Sequence, residues 1–111
     1  MLAGLGLHVR IVNPTPWPSA FDFLLGDRID DRSADGGAAF AGVDAILVVD
    51  IGDVRRLGVL TDAVRAATVP KLVIDHHEAG DEPPGPMQMI DTTACATGEL
   101  VYDLAVTLGL P

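Results

Sequence analysis

The sequence is poor in cysteine and in basic residues. Its single cysteine, Cys95, excludes an internal disulfide. Seven Lys and Arg stand against sixteen Asp and Glu, which gives a formal net charge of -9. A chain with so little positive charge is poorly suited to clamp a long nucleic-acid backbone through a basic surface. We therefore expect no long nucleic acid to bind to it.

Long apolar runs are missing as well. The longest apolar stretch with strand character, residues 45–49, is too short to span a bilayer. The first residues lack the basic-then-apolar layout of an export signal. We therefore expect a cytoplasmic protein without membrane contact. Cys95 lies among small residues, which favours a packed, helix-facing side chain over a reactive thiol.

What is present is enough apolar material for one core. Hydrophobic residues make up 49% of the 111 positions, so the chain should fold as one domain and should not be disordered. Many acidic residues fall in loop-like segments and are expected on the solvated surface. These are Asp27, Asp30, Asp31, Asp35, Asp81 and Glu82.

Three apolar, partly β-branched runs predict strands, at residues 8–12, 45–49 and 71–74. Each is followed by a turn-forming or charged residue, and each reads as a strand buried on both faces, hence parallel. The sequence therefore predicts an α/β fold with an open, mainly parallel sheet flanked by helices.

Helical periodicity occurs in two segments. Residues 54–67 carry an apolar stripe made of Val54, Leu57, Leu60, Thr61 and Val64. This helix links the second and third strands in a right-handed crossover. Residues 94–108 form a second amphipathic helix, with an apolar line of Leu100, Leu104 and Leu108, Val101 and Ala105 beside it, and Gly109 and Pro111 to end it.

The remaining segments are connections. Residues 13–19 contain three prolines and form a rigid link, residues 21–25 suit one helical turn, and residues 27–42 read as a loop or an irregular excursion. Residues 1–7 look like the last turns of a helix ended by Gly6. No strand follows the final helix. We expect residues 1–111 to be one partial domain that continues past both ends.

Candidate site residues stand where the strands end. Asp50 ends the second strand, and Asp75 ends the third and is followed by His76 and His77. The carboxyl ends of neighbouring parallel strands meet at one edge, where ligands bind. Carboxylates beside apolar strands need a cation or hydrogen-bond partners, and carboxylate with imidazole suits manganese. Each aspartate could instead be a cap or turn residue, and adjacent histidines can be incidental.

Asp75-His76-His77 resembles the signature of the DHH phosphoesterases, which include RecJ-like exonucleases, manganese pyrophosphatases and cyclic-dinucleotide phosphodiesterases. The segments 49–53, 55–58 and 90–102 are similar to the branch of nanoRNases and 3'-phosphoadenosine 5'-phosphate phosphatases. That resemblance implies a cytoplasmic, manganese-dependent hydrolase acting on short oligonucleotides or nucleotide 3'-phosphates.

The resemblance also implies roles for individual residues. Asp50 corresponds to the aspartate that bridges two Mn²⁺ ions, and His76 to a ligand of one of them. His77 matches the histidine that contacts the substrate phosphate. Asp75 matches the aspartate that supports the metal-site histidines from behind.

For other residues in the similar segments, two interpretations remain open. Arg56 lies where the family has an arginine, but packing or a surface ion pair would also explain it. The hydroxyls of residues 92–97 could receive a phosphate or, as we favour, cap the helix. Glu99 could complete that cap, and Asp91 is expected to be a turn or cap residue.

The sequence departs from the family pattern in what it leaves out. An Asp-x-Asp segment preceded by a histidine, on the loop after the first strand of the family, has no counterpart before Asp50. A later metal-binding aspartate and the C-terminal substrate-binding domain are also missing. We therefore expect an incomplete two-metal site and a chain that is inactive by itself.

Three alternatives remain open. The chain could belong to another DHH branch, a pyrophosphatase or a cyclic-dinucleotide phosphodiesterase. It could be a non-catalytic α/β module that binds a nucleotide or a protein, with Asp50 and Asp75 as caps. It could also be a structural core whose exposed apolar sheet surface favours self-association.

Overall fold

The computed structural model describes residues 1–27 and 29–110. Strands and α-helices of these residues, in chain order, are β1 (Val9–Ile11), β2 (Ile29–Asp31), β3 (Ile46–Val49), α1 (Thr61–Ala66), β4 (Lys71–Asp75), β5 (Met87–Ile90) and α2 (Thr97–Thr107). Four 3₁₀-helices lie between or before them: Leu2–Leu5, Ser19–Leu24, Ser33–Phe40 and Val54–Leu60. Among the described residues, no helix has the length and apolarity needed to cross a bilayer.

The strands pair in parallel, as predicted, but in two sheets. One sheet has the order β3-β4-β5, and the other pairs β1 with β2. In the larger sheet Val48 lies opposite Val73, and Val73 lies opposite Gln88. The predicted α/β class with parallel strands and flanking helices is confirmed.

The crossover between β3 and β4 covers one face of the larger sheet. Four of the five residues of its predicted apolar stripe are buried and pack with the inward side chains of the strands, while Thr61 is half-buried. The core members are Ile46, Val48, Val54, Leu57, Leu60, Val64 and Val73. Removal of these side chains from water is the main term that stabilises this layer.

The prediction of one helix over residues 54–67 is wrong in its geometry. Gly58 has φ 57° and ψ -124°, which are not helical angles, so the 3₁₀-helix Val54–Leu60 is kinked there. Only Thr61–Ala66 is α-helical. The spacing of apolar residues fixed which side chains face the core, while the glycine decided the path of the backbone.

The prediction of a loop or an irregular excursion over residues 27–42 missed a strand and a 3₁₀-helix. Ile29–Asp31 forms β2 beside β1, and Ser33–Phe40 forms a 3₁₀-helix with Ala39 in the core. Arg28, which belongs to the same stretch, lies outside the described residues. A further strand, β5, occurs where the sequence predicted none.

The helical ends agree with the sequence in part. Gly6 has φ 81° and ends the 3₁₀-helix Leu2–Leu5, as its predicted role requires. The helix predicted over residues 94–108 is observed as α2, with Leu100 buried but Leu108 47% exposed. Pro111, proposed to stop this helix, lies outside the described residues.

The acidic side chains expected at the surface divide into two groups. Four are exposed: Asp27, Asp31, Asp35 and Asp81. Asp30 and Glu82 are half-buried, and each carboxylate lies beside an arginine, Arg32 and Arg65 respectively. The surface prediction therefore holds for the first group and is too simple for the second.

An apolar strip remains uncovered on the face of the larger sheet that carries α2. Val49, Leu72, Met87 and Met89 are each about 40% exposed there, between 38% and 46%. Such a surface is what the third alternative, a structural core, would present. Self-association of the chain stays a prediction.

Candidate metal and phosphate site

Asp50 and Asp75 stand side by side at the carboxyl edge of the larger sheet. Val49 pairs with Ile74 at the end of β3, and the backbone N–H of Asp50 then donates to the carbonyl oxygen of Ile74 at 2.9 Å. Asp50 has φ 67°, a left-handed conformation that is uncommon for residues other than glycine. Such outliers concentrate at functional sites, where the surrounding structure holds them in place.

Side chains of Asp50, His76 and His77 converge at this edge. Each offers one ligand atom, and these atoms lie within 4.8 Å of one another. Oδ1 of Asp50 is 3.7 Å from Nε2 of His76 and 3.9 Å from Nδ1 of His77. The structure thus brings together the residues proposed as metal ligands, Asp50 and His76, with the histidine proposed to contact phosphate.

Asp75 lies behind this cluster and is fully buried. Its Oδ1 accepts hydrogen bonds from Nδ1 of His77 at 2.7 Å and from the backbone N–H groups of His76 and His77 at 2.8 and 3.2 Å. Burial raises the pKa of this carboxyl, but these hydrogen bonds outweigh it, so the pKa is lowered and the ionised form is favoured.

Asp75 contacts the two histidines in different ways. An ionised carboxylate accepts, so Nδ1 of His77 carries the proton and Nε2 of that ring is left as the free nitrogen. The hydrogen bond goes to His77, the proposed phosphate contact. Asp75 reaches His76 through the backbone N–H alone among the described contacts.

A carbonyl oxygen orients His76 instead. Nδ1 of His76 lies 3.4 Å from the carbonyl oxygen of Ala94, a long hydrogen bond that places the proton on Nδ1. Nε2 then keeps its lone pair and faces Asp50. The two imidazole rings lie against each other with centroids 4.1 Å apart.

Thr97 is a residue of this site that the sequence did not single out for the role it has here. Its hydroxyl donates to Oδ1 of Asp50 at 2.6 Å, and the residue is 4% exposed. The preference for helix capping by the hydroxyls of residues 92–97 is not supported, because the N-cap residue of α2 is Ala96, with no side-chain cap within the described residues. Thr93 donates to Asp91 instead.

Glu99 and Asp91 shape the turn before α2. Oε2 of Glu99 accepts from the backbone N–H of Cys95 at 2.8 Å, one residue before the N-cap Ala96, so Glu99 reaches back across the turn but does not complete the predicted cap. Oδ1 of Asp91 accepts from the backbone N–H of Thr93 at 2.8 Å, so Asp91 is a turn residue. These contacts hold the segment that carries Ala94 and Thr97.

Cys95 does not pack as predicted. It is exposed in this turn, ahead of the first residue of α2. Its hydrogen bond with the Glu99 carboxylate raises the pKa of the thiol, because the nearby negative charge disfavours the thiolate. Cys95 is therefore neither a core residue nor an activated nucleophile.

A cavity of about 180 Å³ opens beside His77. Its walls are formed by Gly52, Asp53, Arg56, Asp75, His77, Glu78 and Gly80. Oδ2 of Asp75 is buried and has no hydrogen-bond partner among the residues that the structure describes. A Cβ atom added at Gly52 would stand 2.8 Å from this oxygen, so only glycine allows the strand end to pass so close.

The neighbouring arginines have different surroundings. Arg55 binds the Asp53 carboxylate and reaches Asp81 at 3.2 Å. Hydrogen bonds from Arg55 hold the pKa of Asp53 well below its usual range despite burial. Arg56 is exposed at the cavity wall, and no carboxylate of residues 1–27 or 29–110 lies within 4.0 Å of it. The ion-pair interpretation of Arg56 is thus not supported.

Among the comparisons with known proteins, the comparison of structures found similar folds. No family model matches the sequence, and no curated protein matches it. A similar solved structure is that of an exopolyphosphatase-related protein from Bacteroides fragilis, with a TM-score of 0.73 at 22% identity. The match covers 90% of this chain and 30% of that protein. At this identity the likeness shows the fold alone: the chain shares its α/β fold with part of that protein.

Proposed function

We propose that this chain is part of a metal-dependent phosphoesterase of the DHH type, in which Asp50 and His76 hold manganese and His77 contacts the substrate phosphate. The observation that carries the proposal is the convergence of these three side chains at the carboxyl edge of the sheet. The fold shared with an exopolyphosphatase-related protein supports it.

The chemistry of the donor set fits a divalent cation. Asp50 supplies an exposed carboxylate, and Nε2 of His76 is left with a lone pair because Nδ1 faces the carbonyl oxygen of Ala94. Oxygen and imidazole donors together suit manganese and similar ions. A bound pair of such ions supplies Lewis-acid polarisation of the phosphoryl group and activates water as the nucleophile.

The chain's own residues would prepare the phosphate side of the site. Asp75 fixes the ring of His77 and leaves Nε2 for the substrate: there the neutral ring can accept a proton, and the protonated ring can donate to a phosphate oxygen. The cavity of about 180 Å³ beside His77 offers room for a phosphoryl group of the substrate, not for a whole nucleotide. The substrate class that we propose, short oligonucleotides or nucleotide 3'-phosphates, rests on the resemblance of residues 49–53, 55–58, 74–77 and 90–102 to the nanoRNase branch.

We also propose that this polypeptide alone does not turn over substrate. Within the described residues the possible metal ligands number three, Asp50, His76 and His77, and Asp75 has the hydrogen bonds of a supporting residue. A two-ion site needs further carboxylates, and none joins this group among the residues that the structure describes. Incubation with Mn²⁺ and a di- or trinucleotide should give no turnover. A rate of about 1 per second would contradict this half of the proposal.

Titration with Mn²⁺ tests the metal site itself. The unmodified chain should remove the electron paramagnetic resonance signal of free Mn²⁺ in a saturable way, and His76→Ala should abolish this binding. His8→Ala is the matched control, since His8 is exposed near the other end of the chain and belongs to no ligand group in the described residues. Equal binding by His76→Ala and the unmodified chain would favour the non-catalytic module, with Asp50 and Asp75 as structural residues.

A further inference from the structure

Residues 94–97, which lead into α2 and include its first residue, contact both proposed metal ligands. The carbonyl oxygen of Ala94 lies 3.4 Å from Nδ1 of His76. Three residues later, the hydroxyl of Thr97 donates to Oδ1 of Asp50 at 2.6 Å. One short segment therefore orients two side chains that come from the ends of different strands.

We propose that Thr97 is a positioning residue for the metal site, which holds the Asp50 carboxylate in the orientation that binds the cation. The inference rests on the proposed function. The side chain of Asp50 is 61% exposed, and the bond from Thr97 is its one hydrogen bond among the described residues. Without that bond the carboxylate would sample several rotamers, and binding a cation would carry the entropy of fixing one.

The placement of the hydroxyl supports this role. A side-chain oxygen caps a helix from the N-cap position, which here is Ala96, one residue before Thr97. Here Thr97 is 4% exposed and its hydroxyl faces Asp50, while Glu99 receives the N–H of Cys95. The hydroxyl therefore binds Asp50, the residue after β3, and does not cap α2.

The bond also leaves Asp50 able to bind a cation. A carboxylate has two oxygens with about four acceptor sites, and the hydroxyl of Thr97 occupies one of them on Oδ1. The other positions remain open on the exposed side toward His76. A donor that fixes a ligating carboxylate in this way commonly contributes tenfold to a hundredfold in metal affinity.

The same turn contains a matched control. Thr93 donates its hydroxyl to Oδ1 of Asp91, also at 2.6 Å, but Asp91 belongs to no ligand group within the described part of the chain. Thr93→Val and Thr97→Val thus remove chemically equal bonds. Only the second removes a bond to a proposed ligand.

The experiment compares Mn²⁺ affinity and stability for the unmodified chain, Thr97→Val, Thr97→Ser and Thr93→Val. Mn²⁺ binding is measured by loss of the paramagnetic resonance signal of the free ion, and unfolding is measured in urea without metal. We expect Thr97→Val to weaken Mn²⁺ binding about tenfold to a hundredfold. Thr97→Ser, which keeps the hydroxyl, should retain most of the affinity, and Thr93→Val should not change it.

The outcomes separate the positioning role from the proposed function. If the unmodified chain binds no Mn²⁺, the proposed function itself fails. If it binds and a folded Thr97→Val binds as tightly, the positioning role is refuted and the metal site stands. Should Thr97→Val not fold, Thr97→Ser decides: a folded serine variant that loses affinity like a ligand mutant would overturn the proposal, because its hydroxyl is intact.

Discussion

Nδ1 of His77 lies 2.7 Å from Oδ1 of Asp75, and this carboxylate is fully buried beneath the imidazole. The same oxygen receives the backbone N–H groups of His76 and His77. One carboxylate oxygen therefore fixes both the backbone turn after β4 and the ring of His77. Stability and site geometry depend on the same atom.

Replacement of Asp75 by asparagine should lower the free energy of unfolding by about 1–3 kcal/mol. The neutral amide removes the charge from three hydrogen bonds, and its NH₂ group has no acceptor in the place of Oδ2. Urea unfolding of the metal-free chain measures the effect. Asp44→Asn, at an exposed position, is the control, and equal stability of the two variants would contradict this account of Asp75.

Gly52→Ala should also destabilise the chain, by about 1–3 kcal/mol, because the new methyl group would stand 2.8 Å from Oδ2 of Asp75. Gly98→Ala provides a control of opposite sign. Nothing in the described part of the chain lies within 4 Å of its added Cβ atom, and alanine favours the first turn of α2. The thermal midpoints of the two variants should therefore move in opposite directions.

The sequence predicts the parallel strands and the edge where the site lies because both depend on local signals. Apolar runs that end in Asp50 and Asp75 identify the strands, and parallel pairing then brings their ends together. The backbone conformation after β3, in contrast, could not be predicted from the sequence. Neither the positive φ of Asp50 nor that of Gly58 leaves a mark in hydrophobic spacing.

Two strands were missed for a related reason. β2 reads Ile-Asp-Asp and β5 reads Met-Gln-Met-Ile, neither of which has strong strand propensity. Each is held by pairing with a neighbour, β1 and β4 respectively. The bond from Thr97 to Asp50 spans 47 positions of the chain, so no local pattern could indicate it.

Asp50→Asn should separate stability from metal binding. Asparagine tolerates the left-handed conformation that position 50 requires, and its amide oxygen can still accept from Thr97. We expect the free energy of unfolding to stay within about 0.5 kcal/mol of the original. Mn²⁺ binding should be lost, because the side chain no longer carries a charge. Retained Mn²⁺ affinity would show that Asp50 is not a ligand.

Acid should lower the free energy of unfolding by weakening ion pairs of the crossover between β3 and β4. Arg55 and Arg65 of this crossover contact carboxylates in residues 76–86, the segment that joins β4 to β5. Hydrogen bonds from Arg55 lower the pKa of Asp53, and those from Arg65 lower the pKa of Glu82. A lowered pKa in the folded state means that the stabilisation is present above the unfolded-state pKa of about 4 and is lost as the pH falls below it. Urea midpoints should therefore be constant from pH 7 to about pH 5 and fall below that.

Asp53→Asn tests which carboxylates carry this dependence. The variant should be less stable than the unmodified chain at pH 6, since Arg55 loses the nearer of its two carboxylate partners. The difference should shrink toward pH 3, because the unfolded chain then carries a proton on Asp53 while the lowered pKa keeps Asp53 of the folded chain ionised. Part of the acid dependence should survive, because Glu82, Asp75, Asp91 and Glu99 also have lowered pKa values. Asp44→Asn, without such a partner in the described residues, should leave the pH profile unchanged. Parallel profiles for Asp53→Asn and the unmodified chain would remove Asp53 from the set of residues that link protonation to folding.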